Sequence, residues 1–384
     1  MNRHVAHFPA HPPLPSLDKL LGFVRKNAVL CIAAALALVT SCVVPPDAEY
    51  ANYFDWKTLA CLFSVLAVVC ALKNIRFFTI LARKIVSLTG NLRTAVIALV
   101  YITFIGSMLI ANDMALLTFL PLGYFVLNAT GKEKYMAPVF ILQNIAANLG
   151  GMLTPFGNPQ NLYIYSYFNI PTMEFMGIML PAFLMAVLMI TACCLFFPGD
   201  QITLADNYEV KLNPRRTVLY LCLFAVSIVM VFRILPYQIG LIAVIVGLLM
   251  SDRQALRMVD YPLLLTFVCF FIFAGNMSRI PMIRQLLTSL MEKNPLIVRA
   301  LSCQVISNVP SAILLSHFTG DYANLLLGVN IGGAGTLIAS LASLITFREY
   351  TAHNPDKAGH YIKLFSLFNF GFLIVLLVFA SVIA

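Results

Sequence analysis

The chain has 384 residues, 60% of them hydrophobic and only 11% charged, against about a quarter charged in soluble domains. That composition excludes an ordinary soluble enzyme, and apolar runs of about 17–25 residues recur along most of the chain, which reads as one all-α integral membrane body. The formal net charge of +9 does not mark a nucleic-acid binder, because the basic residues are scattered through short loops; the expected partner is the lipid bilayer.

From the N-terminus, residues 1–27 read as a cytoplasmic tail, since "MNRHVAHFPAHPPLPSLDKL" lacks the apolar core and cleavage site of a secretory signal. Residues 28–53 hold the first span, Ala28 to Val44, and an outer loop. Further spans are expected at Trp56 to Leu72, Met136 to Phe168, Phe175 to Phe197, Thr217 to Leu235, Gln238 to Met250, Tyr261 to Asn276, Ala323 to Phe347 and Tyr361 to Ala384. Two apolar segments, Leu92 to Leu127 and Leu296 to Phe318, are interrupted by "IANDMA" and "ISNVPSA". Each reads as two half-length helices meeting at a polar tip. The span from Met136 is broken by "NLGGMLTPFGNPQN", which carries Pro155 and Pro159.

The chain also resembles itself. "FDWKTLACLFSVLAVVCALKN" from Phe54 matches "VDYPLLLTFVCFFIFAGNMSR" from Val259, and each is followed by an amphipathic stretch ending in Asn. Ile110, Ala111 and Asn112 then fall on Ile306, Ser307 and Asn308, and "NLGGMLTPFG" at Asn148 falls on "NIGGAGTLIA" at Asn330. The first copy occupies 54–197, with a hairpin at about 92–131 and an interrupted helix at about 136–168. The second occupies 259–350, with a hairpin at about 295–318 and an interrupted helix at about 323–350. Residues 198–258 connect them, and 351–384 form the last loop and span.

With the N-terminus inside and each interrupted segment a re-entrant hairpin, only Lys57, Arg233, Arg279, Arg284, Lys293 and Arg299 of the 25 basic residues fall outside. This agrees with the cytoplasmic bias of Lys and Arg and places the copies in opposite topology. Inverted repeats with broken helices are the signature of secondary transporters, whose sites lie near the midplane at the repeat interface. Lipid cannot satisfy the backbone groups freed by a break, so protein, water or solute must do so. Helix N-termini suit an anion and freed carbonyls a cation.

The ordered motifs "IANDMALLTFLP", "NLGGMLTPFGNPQN", "ISNVPSAILL" and "NIGGAGTLIASLASLI" resemble the ion transporter superfamily. It includes arsenite and antimonite permeases, sodium/proton antiporters, and sodium-coupled citrate and dicarboxylate carriers. The resemblance covers nearly the whole chain beyond about Asp55. It implies a homodimer in the cytoplasmic (inner) membrane, with a scaffold holding a mobile, elevator-like transport domain that carries the hairpins. Carboxylate carriers of the superfamily show Ser-Asn-Thr at both tips; here the tips read Ala111-Asn112-Asp113 and Ser307-Asn308-Val309.

The expected site draws Asn112, Asp113, Ser307 and Asn308 from the tips. From the breaks it draws Asn148, Gly150, Gly151, Thr154, Gly157, Asn158, Asn330, Gly332, Gly333, Thr336 and Ser340. Asp113 is the carboxylate set deepest in the membrane, a coupling group for H+ or Na+ by default, or else a helix cap toward Ala115 or Leu116. Gln143, Asn144 and Ser343 add polarity nearby, whereas His317 and Arg233 read as interfacial, snorkelling residues. No GxSxG or HExxH motif supports an enzyme, no GxxxxGK[ST] supports a nucleotide-driven pump, and no resident cofactor or metal site is expected. The functional expectation is a carrier for a small anion or oxyanion coupled to H+ or Na+, with sodium/proton exchange as the alternative.

Overall fold

The computed structural model describes residues 24, 27–202 and 212–383. Most of the expected cytoplasmic tail, including Arg3, Lys19, Arg25 and Lys26, lies outside the described residues, as does Lys211 in the central loop. The described residues are helical throughout, joined by short turns, with one isolated bridge between Asn91 and Gln201.

In chain order the helices are α1 (Ala28–Val43), α2 (Trp56–Asn74), α3 (Phe77–Ser87), α4 (Leu92–Ile110), α5 (Asn112–Ala129), α6 (Met136–Gly150), α7 (Pro159–Tyr167), α8 (Thr172–Leu195) and α9 (Pro214–Val231). They continue with α10 (Tyr237–Ser251), α11 (Arg253–Arg257), α12 (Tyr261–Ser278), α13 (Pro281–Lys293), α14 (Pro295–Ile306), α15 (Asn308–Ser316), α16 (Tyr322–Ile331), α17 (Leu341–His353) and α18 (Ala358–Ile383). Seven of these, α2, α4, α6 with its flanking turns, α8, α9, α12 and α18, are long and apolar enough to cross a membrane.

Local chemistry sets the boundaries. Asp55 and Asp260 cap α2 and α12 identically, each Oδ1 accepting from a first-turn N–H, Thr58 or Leu263, at 3.0 Å. Pro214, Pro262, Pro281 and Pro295 fall at helix starts, where a missing N–H costs nothing. The span expected from Met136 to Phe168 is broken as read, with α6 and α7 separated by residues 151–158. The span from Ala323 breaks likewise between α16 and α17.

One expectation is corrected. The helices α4 and α5 have 19 and 18 residues, about 28 Å each at 1.5 Å per residue, so they are full-length and not half-length. The polar motif at their junction interrupts the chain at Ala111 alone, and the apolar sequence on either side keeps both helices running. The second pair is short as expected, with 12 residues in α14 and 9 in α15.

Packing divides the helices into two groups. α1, α2, α9, α10, α11 and α12 pack on one another and form a frame. α4 to α8 and α14 to α18 form a second body around α6, whose residues are almost all buried. Contacts between the two are sparser, chiefly α12 on α15 and α2 on α7. The amphipathic helices α3 and α13 touch both bodies, each following the frame helix whose aspartate cap is described above.

Loop contacts fall in two sets. Lys132 pairs with Asp200 at 2.6 Å, and Asn74 donates to Asp252 at 2.9 Å. Arg279 pairs with Asp47 at 2.6 Å and with Glu49 at 3.3 Å, while Arg299 pairs with Asp321 at 3.1 Å. The basic stretch from Arg279 to Arg299 is therefore partly neutralised by acidic partners.

Candidate functional site

The tips are backbone features first. Ala111, between α4 and α5, has φ 67° and ψ 151°. Ser307, between α14 and α15, has φ 74° and ψ 159°. This corner is nearly reserved for glycine and costs about 1–3 kcal/mol for other residues, so each tip must be held.

The same bonds hold both. The Asn112 N–H donates to the Gly157 carbonyl at 3.1 Å, and the Asn308 N–H to the Ala339 carbonyl at 2.9 Å. Each asparagine Oδ1 accepts the next N–H, from Asp113 or Val309, at 2.9 Å. The Thr154 hydroxyl donates to the Met108 carbonyl at 2.8 Å and the Thr336 hydroxyl to the Gln304 carbonyl at 3.1 Å. Met108 and Gln304 both stand one turn before the tip asparagine. A Cβ on Gly150 would lie 2.4 Å from the Phe104 carbonyl oxygen, and one on Gly332 would lie 2.8 Å from that of Ala300. Glycine lets each broken helix press against the backbone of its neighbour. Gly151 and Gly157 likewise fold the first break onto itself. In the second break Gly333 sits beside the Asn308 amide, 3.3 Å from where its Cβ would be.

The breaks are braced to each other by buried amides. Asn148 Oδ1 accepts from Asn112 Nδ2 at 3.1 Å and from the Ser340 hydroxyl at 2.8 Å. Asn330 Oδ1 accepts from Asn158 Nδ2 at 3.2 Å, and Asn330 Nδ2 donates to Asn161 Oδ1 at 2.6 Å. Asn144, one turn before Asn148, receives and gives bonds along α17, donating to the Ser343 hydroxyl at 3.3 Å. Gln143 turns away and donates to Thr103 at 3.0 Å.

Where tips and breaks meet the frame there is a cavity of about 180 Å³. The space is mainly apolar: the second body lines it with Asn112, Asp113, Gln160, Ser307, Asn308 and Ser340 set among Val305, Ile306, Val309, Ile338, Leu341 and Leu344, and the frame with Val29, Ile32 and Leu36 of α1 and Leu263, Thr266 and Phe270 of α12. Of the residues expected from the sequence, Asn112, Asp113, Ser307, Asn308 and Ser340 line this space. The others, Asn148, Gly150, Gly151, Thr154, Gly157, Asn158, Asn330, Gly332, Gly333 and Thr336, stand behind it and hold the lining in place. His317 packs against Tyr167 with ring centroids 5.6 Å apart, and neither it nor Arg233 lines the cavity.

Among the described residues Asp113 is the one charged side chain in the lining. It is half-buried in the first turn of α5, and its carboxylate accepts no hydrogen bond from the described residues. The capping alternative is not realised, since Ala111 holds the N-cap position and its carbonyl receives the Ala115 N–H. The lining hydroxyls have spent their protons: Ser340 on Asn148, Ser307 on the Ala339 carbonyl at 3.3 Å, and Thr266 on the Pro262 carbonyl at 2.7 Å. What they retain is lone pairs. Gln160, 1% exposed, has an Oε1 without a partner among the described residues. Among the described residues the mainly apolar lining thus offers acceptors at Asp113, Gln160 and the hydroxyls, an amide donor at Asn308, and no basic side chain.

Three contributors were absent from the sequence reading. Gln160 and Asn161 lie within "GNPQN" beside residues that were chosen, and nothing in the order of letters separates them from ordinary helix starters. Gln304 donates to the Gly332 carbonyl at 2.7 Å and accepts from the Thr336 N–H at 2.8 Å. Its counterpart in the first copy is Met108, so self-comparison gave no signal.

Residues 18–326 match the family described as citrate transporter. The chain is 30% identical to an uncharacterized transporter of Methanocaldococcus jannaschii over 92% of this chain and 97% of that protein. It is 30% identical to the inner membrane protein YbiR of Escherichia coli over 77% of this chain and 80% of that protein. A silicon efflux transporter of Oryza sativa shares 29% identity over 56% of this chain and 44% of its own length. A multi-pass helical body matched over most of its length by transporters is a membrane transporter and not an enzyme, and the chain belongs to the citrate transporter family of the ion transporter superfamily.

Proposed function

We propose that the protein is a secondary active carrier for a small oxyanion or its parent oxyacid, coupled to H+ or Na+ at Asp113. The observation that carries this reading is the cavity between the tips, where Asp113 is the only charge among the described lining residues. A bare anion entering would meet a carboxylate and no compensating cation, and an unpaired charge in a dry site is strongly disfavoured. A proton or sodium ion at Asp113 removes that conflict. The acceptors around it favour a solute that arrives protonated or accompanied by a cation. A rice relative is named for silicon efflux, and the absence of Ser-Asn-Thr at either tip counts against citrate itself.

The same reading makes α4–α5, full-length as they are, and the shorter α14–α15 the hairpins of two inverted repeats, each pair beginning and ending on one side of the membrane, with the N-terminus inside. Under that threading the partners of each ion pair lie toward one side: Lys132 and Asp200 inside, Arg279 and Asp47 outside, and Arg299 of α14 with Asp321 outside. The frame and second body then act as scaffold and elevator-like transport domain, in a homodimer of the inner membrane. Sodium/proton exchange is the second reading, favoured by lining acceptors that would hold a cation without any other solute.

Counterflow in proteoliposomes tests the proposal, with arsenite, germanic acid as a silicic acid analogue, sulfate, citrate and a dicarboxylate as solutes. The expected result is saturable counterflow of at least one weak oxyacid that responds to an imposed pH or sodium gradient. Flux that rises linearly with concentration and shows no counterflow would overturn it in favour of a channel. Proton release driven by sodium alone would select the exchanger.

A further inference from the structure

The corner between α9 and α10 belongs to the frame, yet it grips the second body. Helix α9 ends at Val231, and the chain turns through Arg233, whose φ is 64°. The Ile234 N–H bonds to the Val229 carbonyl at 3.1 Å and the Arg233 N–H to that of Met230 at 3.1 Å. This is the hydrogen-bond pattern whose left-handed position is ordinarily glycine. An arginine there bears steric strain, so its side chain has to bring something the turn alone does not need.

That side chain reaches the other body. Its Nη1 donates to the Ile170 carbonyl at 3.0 Å and its Nη2 to the Tyr165 carbonyl, while the guanidinium stacks 4.0 Å from the centroid of the Tyr165 ring. Tyr165 lies in the last turn of α7, where a cation meets the negative end of the helix dipole. The adjoining Phe232 packs edge-on against Phe156 in the break before α7, with centroids 5.8 Å apart. The opposite end of α7 begins with Pro159 and Gln160, both in the cavity lining. One corner of the frame thus holds a nine-residue helix at its far end and touches the break at its near end.

We propose that Arg233 is a positioning residue of the transport cycle, a clasp that fixes the second body against the frame in this conformation and must open for that body to travel. This rests on the carrier reading given above. Arg233 does not touch the solute; it acts through α7 on the rate of interconversion. Lysine cannot replace it, because only the planar fork reaches two carbonyls and stacks on the ring at once.

The test uses the full-length protein in proteoliposomes, with whichever oxyacid the counterflow panel identifies, and compares wild type with Arg233→Gln and Arg233→Lys. Both variants are expected to change the maximal exchange rate by at least about threefold, while the half-saturating solute concentration stays within about twofold, as for a step outside the binding site. Hydrogen exchange at residues 164–171 and 231–236, measured without solute, is expected to rise in both. An unchanged exchange rate in variants whose amides exchange faster overturns the clasp and leaves the carrier reading intact. Rate and affinity falling together with melting temperature also overturn it, since that is a folding role. If wild type itself shows no counterflow of any solute, the carrier reading has failed, and the clasp fails with it.

Discussion

The Thr154 hydroxyl bonds the Met108 carbonyl at 2.8 Å, tying the break after α6 to the last turn of α4. Thr336 repeats the act on Gln304. Replacing either threonine by valine keeps the shape and leaves a buried carbonyl short of a donor, at about 1–3 kcal/mol. Thr154→Val and Thr336→Val are each expected to lower the melting temperature in detergent, by comparable amounts, with Thr→Ser at the same positions restoring most of it. A loss in one half only would show that the two ties are not equivalent.

Gly150 and Gly332 are expected to tolerate nothing larger. The atoms a Cβ would strike include backbone, Phe104 O at 2.4 Å for Gly150 and Ala300 O at 2.8 Å for Gly332, so no rotamer change can relieve the clash. Gly150→Ala and Gly332→Ala should each cost about 1–3 kcal/mol or more through displacement of the neighbouring helix. Gly177→Ala and Gly371→Ala, where nothing lies within 4 Å, serve as controls. Yield of monodisperse protein and thermal unfolding report the difference.

Among the described residues the Asp113 carboxylate accepts no hydrogen bond, so Asp113→Asn should fold and melt like wild type. Its expected effect is confined to transport: solute counterflow persists or falls, but no longer responds to a pH or sodium gradient. Uptake by Asp113→Asn with unaltered gradient dependence would remove the aspartate from the coupling mechanism.

A pH effect is expected at the loop that joins α1 to α2. The Arg279 guanidinium holds the Asp47 carboxyl below its ordinary value of 3.8. A depressed carboxyl contributes stability above the unfolded-state value, and that contribution is lost as pH falls through the lower folded value. Local protection of residues 47–53 should therefore be constant above about pH 5 and fall below about pH 4. Arg279→Gln should abolish this acid dependence, which hydrogen exchange across pH would show.

Much of the site was legible because polar residues are conspicuous in apolar sequence. Asn112, Asn148, Asn308 and Asn330 stand out among leucines and isoleucines, and the pairing of "NLGGMLTPFG" with "NIGGAGTLIA" marks both breaks. The lengths of α4 and α5 were not legible. "IANDMA" signals an interruption but not its extent, which is the single residue Ala111. The divide between lining and support was also hidden, since Thr154 and Thr336 carry hydroxyls that could have faced solute and instead close backbone bonds. Arg233 looked like a residue reaching for water; its carbonyl partners lie 63 and 68 positions away in the chain, a distance that local pattern does not span.

The polar groups of the cavity, apart from Thr266, belong to the second body, while the frame faces them with a mainly apolar wall. If those groups travel, the residues of α1 and α12 facing them offer the solute few groups to bond and few to release. Such a wall acts as a bearing surface. On the proposed mechanism a solute held by the tips would keep its hydrogen bonds throughout the stroke, and resistance to movement would concentrate where the bodies are fastened, at α3, α13 and the corner at Arg233. Polar substitutions at Ile32 or Phe270 would act as brakes while leaving the binding groups untouched.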